Sequence, residues 1–214
     1  MRTTPAEWTI VAVGDWNPRV FLPEWVRPNL FADRITEDPT FEYVFQPTGP
    51  RAFRIQLNDI IIAPQSGRLV VGVHTVRDDL LEEAERVMRT SLELLSHTPL
   101  QALGVNLQFE EPAPPGALSR LFALPDLGAL SHRGVTVSQT TILRQLQFDN
   151  QIVNFKQIFG DDTTILNFNF HYPVSSTLEA ANILDGTRLA EHKSFVLDFL
   201  AGMYDLTLSE DSSQ

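Results

Sequence analysis

The sequence predicts an α+β fold of antiparallel β-sheet with two long amphipathic helices packed on one face, and three observations carry that prediction. Apolar residues alternate with a period of two in several short runs, the mark of half-buried strands. Two longer stretches, near residues 77–96 and 187–204, change to the helical period of 3.6. Three alternating runs between residues 144 and 171 can be registered against one another from their turns alone.

In the first half, Trp8 to Val13 reads as a strand broken by Gly14-Asp15. A stretch rich in proline and tryptophan follows, through Pro18, Pro23, Trp25 and Pro28, and reads as an ordered loop with a helical turn. Phe41, Tyr43 and Phe45 alternate, as do Phe53, Ile55 and Leu57, and Leu69-Val70-Val71 follows the turn signal Pro64 to Gly67. Three or four antiparallel strands are expected here. From Arg77 to Ser96, Leu80, Ala84, Val87, Met88, Ser91, Leu94 and Leu95 share a helical face, with a capping pattern at Thr75 and Asp78 and a stop at Pro99. Leu103, Val105, Leu107 and Phe109 then alternate with polar or small residues, a strand ending at Glu110-Glu111.

Pro112 to Gly116 cannot sit inside regular structure and reads as a linker or crossover. The expected organisation is an N-terminal half over residues 1–111, a proline-rich connection over 112–133, a three-stranded meander plus helix over 134–208, and a frayed tail over 209–214. A single continuous domain is the alternative. With a turn at Asp149-Asn150, Phe148 faces Gln151 and Leu146 faces Val153. With a turn at Gly160-Asp161, Phe155 faces Leu166 and Val153 faces Phe168. Both registers put Leu146, Val153, Phe155, Leu166, Phe168 and Phe170 on one side, with Arg144 as the exception near the edge. A short helix near residues 177–184 precedes the last one, whose stripe is Leu189, Phe195, Val196, Phe199, Leu200 and Met203.

Composition narrows the function classes. Hydrophobic residues make up 43% and charged residues 20% of the 214, enough for a packed core. The net charge of -11 repels phosphate backbones and anionic membrane surfaces, so nucleic acid and membrane are not expected partners. Lys156 and Lys193 are the only lysines among 16 basic residues, a bias that reads as a GC-rich, bacterial genome. Cysteine is absent, which removes disulfides, thiolate metal sites and cysteine nucleophiles together. Met1 to Glu7 has no apolar leader core, and the longest aliphatic run, Ile60 to Ala63, is too short to span a bilayer, so a cytoplasmic location is expected.

Tests for chemistry come back empty. No G-x-G or Gly-Lys-Ser/Thr run offers a phosphate cradle, and no serine sits in G-x-S-x-G. His74, His97, His132, His171 and His192 lack metal-ligand spacing and each reads as a surface or helix-end residue. Glu191-His192-Lys193 with Asp185 superficially matches half of a nuclease motif, but the carboxylates fall at a helix start, where capping and solvation explain them. Gly160-Asp161-Asp162 is what a tight turn asks for. No metal, cofactor or catalytic residue is expected.

One constellation remains, the side of the sheet opposite the core. The registers bring Gln145, Gln147, Asn154, Lys156, Asn167, Asn169 and His171 onto one face, and Asn106 with Gln108 join it if their strand belongs to the same sheet. Amides carry both donors and acceptors and suit recognition of another polar surface, although a solvated sheet face needs the same residues. Trp16, Trp25 and Phe31 form either an exposed aromatic interface or part of the core. The expected function is a non-enzymatic interaction or assembly subunit of a bacterial multiprotein system, acting on a protein partner or on itself. The alternatives are a binder of a small apolar ligand in a cavity wrapped by the sheet, and an enzyme whose Asp, Glu and His converge only in the fold.

Three stretches, Leu103-Gly104-Val105-Asn106, Leu166-Asn167-Phe168-Asn169-Phe170 and Arg188-Leu189-Ala190-Glu191-His192-Lys193-Ser194-Phe195, resemble a sporadically distributed family of uncharacterised bacterial proteins. The resemblance covers about half the chain. It implies no activity and assigns no catalytic residue.

Overall fold

The computed structural model describes residues 1–32, 40–44, 52–57, 59–112, 118, 124–148, 151–160 and 162–209. Its strands are β1 (Arg2–Thr3), β2 (Thr9–Gly14), β3 (Thr40–Val44), β4 (Ala52–Leu57), β5 (Ile60–Gln65), β6 (Arg68–Val73), β7 (Leu100–Pro112), β8 (Thr140–Phe148), β9 (Gln151–Phe159) and β10 (Thr163–Pro173). Its helices are α1 (Pro23–Val26), α2 (Asp78–Leu94), α3 (Pro125–His132), α4 (Thr177–Ile183) and α5 (Arg188–Tyr204). The protein is thus α+β, built on one large antiparallel sheet. Phe45, Asp149-Asn150, Asp161, Ala113 to Gly116 and residues 210–214, used in the sequence reading, lie outside the described residues.

Strand order in the sheet is β3-β4-β5-β6-β2-β7-β10-β9-β8, with β1 paired to the far end of β7. β7 joins the two halves of the chain, because it pairs with β2 on one side and β10 on the other. Directly opposed residues therefore run in lines across the whole sheet. One line is Ile55, Ile62, Val71, Ile10, Val105, Phe170 and Val153, every one of them 0% exposed. β-Branched and aromatic side chains fit a pleated, covered surface, and each such burial contributes about 1.5–3 kcal/mol. Residues of both halves enter one continuous hydrophobic core.

α2 lies against β6, β2 and β5, and also touches α4 and α5. Phe199 of α5 meets Phe155 and Phe168 edge-on at 5.8 and 6.0 Å, and Phe195 meets Phe148 at 4.9 Å. Two residues depart from the expected stripes. Leu94 is half exposed while Leu81 and Leu92 are buried, and Met203 is exposed on the last turn of α5; Asp205, at φ 56°, ends that helix, and Leu206 beyond it is buried. The cap expected at Thr75 is not used either: Arg77 holds the cap position, makes no side-chain cap bond, and pairs with Asp79.

The register at the last hairpin also differs from expectation. Phe155 opposes Phe168 and Val153 opposes Phe170, two residues on from the expected pairing. The connection is longer than a two-residue turn: Gly160 N–H donates to Thr163 O at 2.9 Å. A shift of two conserves which side each residue faces, so the apolar set keeps its side. Pro64, expected in a turn, lies within β5 opposite Leu69. Its missing N–H does no harm there, because β4 pairs with β5 only as far as Ile62.

Candidate interaction face

On the other side of the sheet, residues brought opposite one another by the registers form a second line: Gln145, Asn154, Asn169, Asn106 and Thr9, from β8, β9, β10, β7 and β2. Their side chains are hydrogen-bonded in sequence. Gln145 Nε2 donates to Asn154 Oδ1 at 3.3 Å, Asn154 Nδ2 to Asn169 Oδ1 at 3.1 Å, Asn169 Nδ2 to Asn106 Oδ1 at 2.8 Å, and Asn106 Nδ2 to Thr9 Oγ1 at 3.1 Å. All four donors point the same way, so each bond polarises the next. Gly104 leaves room for the row, since a Cβ at that position would lie 3.2 Å from Asn169 Nδ2.

The sheet brings some of the expected residues together and leaves others apart. Asn167 makes a separate, longer bond to Gln108 Oε1 at 3.4 Å and lies opposite Lys156. Gln147 opposes Ile152, and His171 lies between Ile152 and Gly104, so neither joins the amide line. Gln145, Gln147 and Lys156 are exposed, whereas Asn154, Asn167, Asn169 and His171 are half-buried. Each asparagine in the row spends one N–H and its oxygen on neighbours, whereas Gln145 spends only one N–H. The row is therefore first a device that fixes strand register, and its free capacity is concentrated at its end, Gln145 on β8.

β8 is an edge strand: among the described residues it pairs with β9 alone. Two residues separate Phe148 from Gln151, which makes that pair of the hydrogen-bonded kind. By alternation, the backbone N–H and C=O groups of Thr141, Leu143, Gln145 and Gln147 point away from β9. Leu143 is 66% exposed. The one charged residue on the strand, Arg144, turns to the core side and donates to Gln157 Oε1.

The aromatic alternative is corrected. Trp16 and Phe31 are buried at 3% and 1% exposure, and Trp25 is half-buried against Phe21 at 5.3 Å. Burial of an indole requires a partner for its N–H, and Trp16 Nε1 finds Ala12 O at 2.9 Å. These rings belong to the core, not to an exposed interface.

Two buried polar groups escaped the sequence reading. His192, expected at the surface, is 4% exposed and stacks on Phe170 at 3.7 Å with the rings 4° from parallel. Its Nε2 lies 2.6 Å from Tyr172 Oη, which also accepts from Gln151 Nε2. With Gln151 donating, the phenol donates to a neutral imidazole. Burial holds His192 down at about 3, with Arg188 acting in the same sense, and burial pushes Tyr172 up to about 12. An imidazole so weakly basic is a poor general base near neutrality, so the pair serves as a latch between α5 and the sheet. Glu85, 1% exposed on α2, accepts from the backbone N–H groups of Gly186 (2.6 Å), Arg188 (3.3 Å) and Leu189 (3.2 Å). It caps α5 from another helix, and burial raises its pKa against those three bonds.

The carboxylates of the supposed nuclease motif meet on a guanidinium, with Thr187 Oγ1 3.3 Å from each, and Lys193 stays apart from them. Asp185 and Glu191 both pair with Arg188, and Lys193 pairs with Asp78 across to α2. Among the described residues no three His, Asp or Glu side chains gather as metal ligands, and no helix is long and apolar enough to cross a membrane. Compared with models of known protein families and with curated proteins, the sequence matches none.

Proposed function

We propose that this chain is a non-enzymatic interaction or assembly subunit that takes on its partner by adding a strand to β8, in the cytoplasm of a bacterium. The observation that carries the reading is the bonded amide row that crosses five strands and ends, at Gln145, on a sheet edge that no other described strand pairs. Main-chain bonds supply affinity in strand addition and alternate side chains supply specificity. Long uncovered edges are usually blunted by proline, lysine or a bulge, and β8 has only the inward-turned Arg144.

The test is site-specific photo-cross-linking in the source cell. Probes at Thr141 and Leu143 are expected to capture one defined protein, and probes at Glu82 on α2 are not. Capture from α2 and none from β8 would overturn the reading.

A further inference from the structure

Resting on that reading, we infer that the strand added to β8 is β8 of a second copy, paired antiparallel about a two-fold axis at Gln145. An isologous contact needs a strand that complements itself, and the two faces of β8 select one register. With the axis at Gln145, that residue opposes its own copy, Leu143 opposes Gln147, Arg144 opposes Leu146, and Ile142 opposes Phe148. On the polar side each Gln145 keeps an N–H and its carbonyl oxygen for the other, so the amide row runs on unbroken into the second sheet. On the apolar side the half-buried side chains of Ile142, Leu146 and Phe148, which pack against the core, continue across the joint.

Neighbouring registers fit less well. An axis at Arg144 sets two guanidinium groups directly opposite each other, which like-charge repulsion opposes. An axis at Leu143 sets Gln145 against Thr141 and leaves Phe148 beyond the pairing, and an axis at Leu146 shortens it. Charge favours a like copy in another way. The protein carries -11 overall, yet the exposed side chains of β8 from Thr141 to Gln147 are uncharged, so two copies meet there without bringing acidic groups together.

Nine residues of strand span roughly 30 Å. One strand pair forms about six backbone bonds and buries an area at the low end for specific complexes, so the dimer is reversible, with Kd about 10–100 µM.

The absence of native cysteine makes the register directly readable. Under mild oxidation Gln145→Cys is expected to form a disulfide dimer, while Gln147→Cys, about 13 Å from its own copy in this register, stays monomeric. Sedimentation of the wild type should show mass doubling with concentration, and Leu143→Pro should abolish it. The N–H of Leu143 points outward, so proline there removes no bond inside the protomer, and circular dichroism checks that the variant folds. Cross-linking of Leu143→Cys in place of Gln145→Cys overturns the register. A strict monomer up to about 1 mM overturns self-association. If that monomer still binds a cellular protein and Leu143→Pro abolishes the binding, strand addition stands with a different occupant. If the binding survives Leu143→Pro, the proposed function falls as well.

Discussion

Acid should weaken this protein well above the pH at which its carboxylates protonate, because His192 must stay neutral in the fold. The imidazole is held at about 3 by burial, against 6.5 in an unfolded chain. A depressed folded-state pKa contributes stability that is complete above the unfolded value and is lost as pH falls toward the folded one. Each unit between them costs about 1.4 kcal/mol, so going from about pH 8 to about pH 5 removes about 2 kcal/mol. For a chain of this size that lowers Tm by about 4–8 °C. Glu85 works weakly in the opposite sense, since its raised pKa favours the folded state as pH falls. A comparison with His192→Gln isolates the histidine, because the amide oxygen can still accept from Tyr172. Urea unfolding at both pH values should show the wild type losing about 2 kcal/mol more than the variant. Equal losses, or a His192 imidazole that titrates by NMR above about pH 5, would refute the latch.

The buried carboxylate and the core give further expectations. Glu85→Ala leaves three N–H groups at the start of α5 without their acceptor and should cost about 2–3 kcal/mol by urea unfolding, with helix loss localised to α5 by hydrogen exchange. Phe168→Ala removes a fully buried ring stacked 4.3 Å from Phe155, and a loss of about 3–5 kcal/mol is expected from its melting curve. Gly14→Ala would place a Cβ 2.3 Å from Pro99 O, a backbone atom, so it should lower Tm clearly while Gly67→Ala, whose Cβ meets nothing within 4 Å, should not. Asn169→Leu cuts the amide row at its centre and should cost about 1–3 kcal/mol, with NMR shift changes spreading to Asn106 and Asn154.

Period and turn chemistry made much of this fold legible. The alternation of Leu103 to Phe109, and of Leu146, Val153, Phe155, Phe168 and Phe170, is set by which side chains meet the core, and that information is local. Because side-chain parity survives a two-residue slip, the apolar side of β10 could be read correctly even though its pairing with β9 was displaced. What stayed hidden is long-range. That β7 stands between β2 and β10, uniting the halves, depends on pairings more than fifty residues apart in sequence. The polar residues were readable as a face, but only the register shows that Gln145, Asn154 and Asn169 fall in line and that Gln147 and His171 do not. His192 and Glu85 left a trace that a strict reading of the stripes would find. His192 follows Leu189 by three and precedes Val196 by four, and Glu85 follows Leu81 by four and precedes Met88 by three. Both polar groups ride on the buried side of their helices. Trp16 and Phe31 gave no such sign, because the segment around them has no period.

Hydrogen exchange of individual β8 amides, followed as protein concentration is raised, tests the open edge most directly. In dilute protein Ile142, Arg144 and Leu146, which face β9, should be protected, while Thr141, Leu143, Gln145 and Gln147 exchange freely. At high concentration the second set should slow together. Protection of that set at every dilution would mean that the edge is already covered, and rapid exchange at every concentration would mean that no second copy adds there.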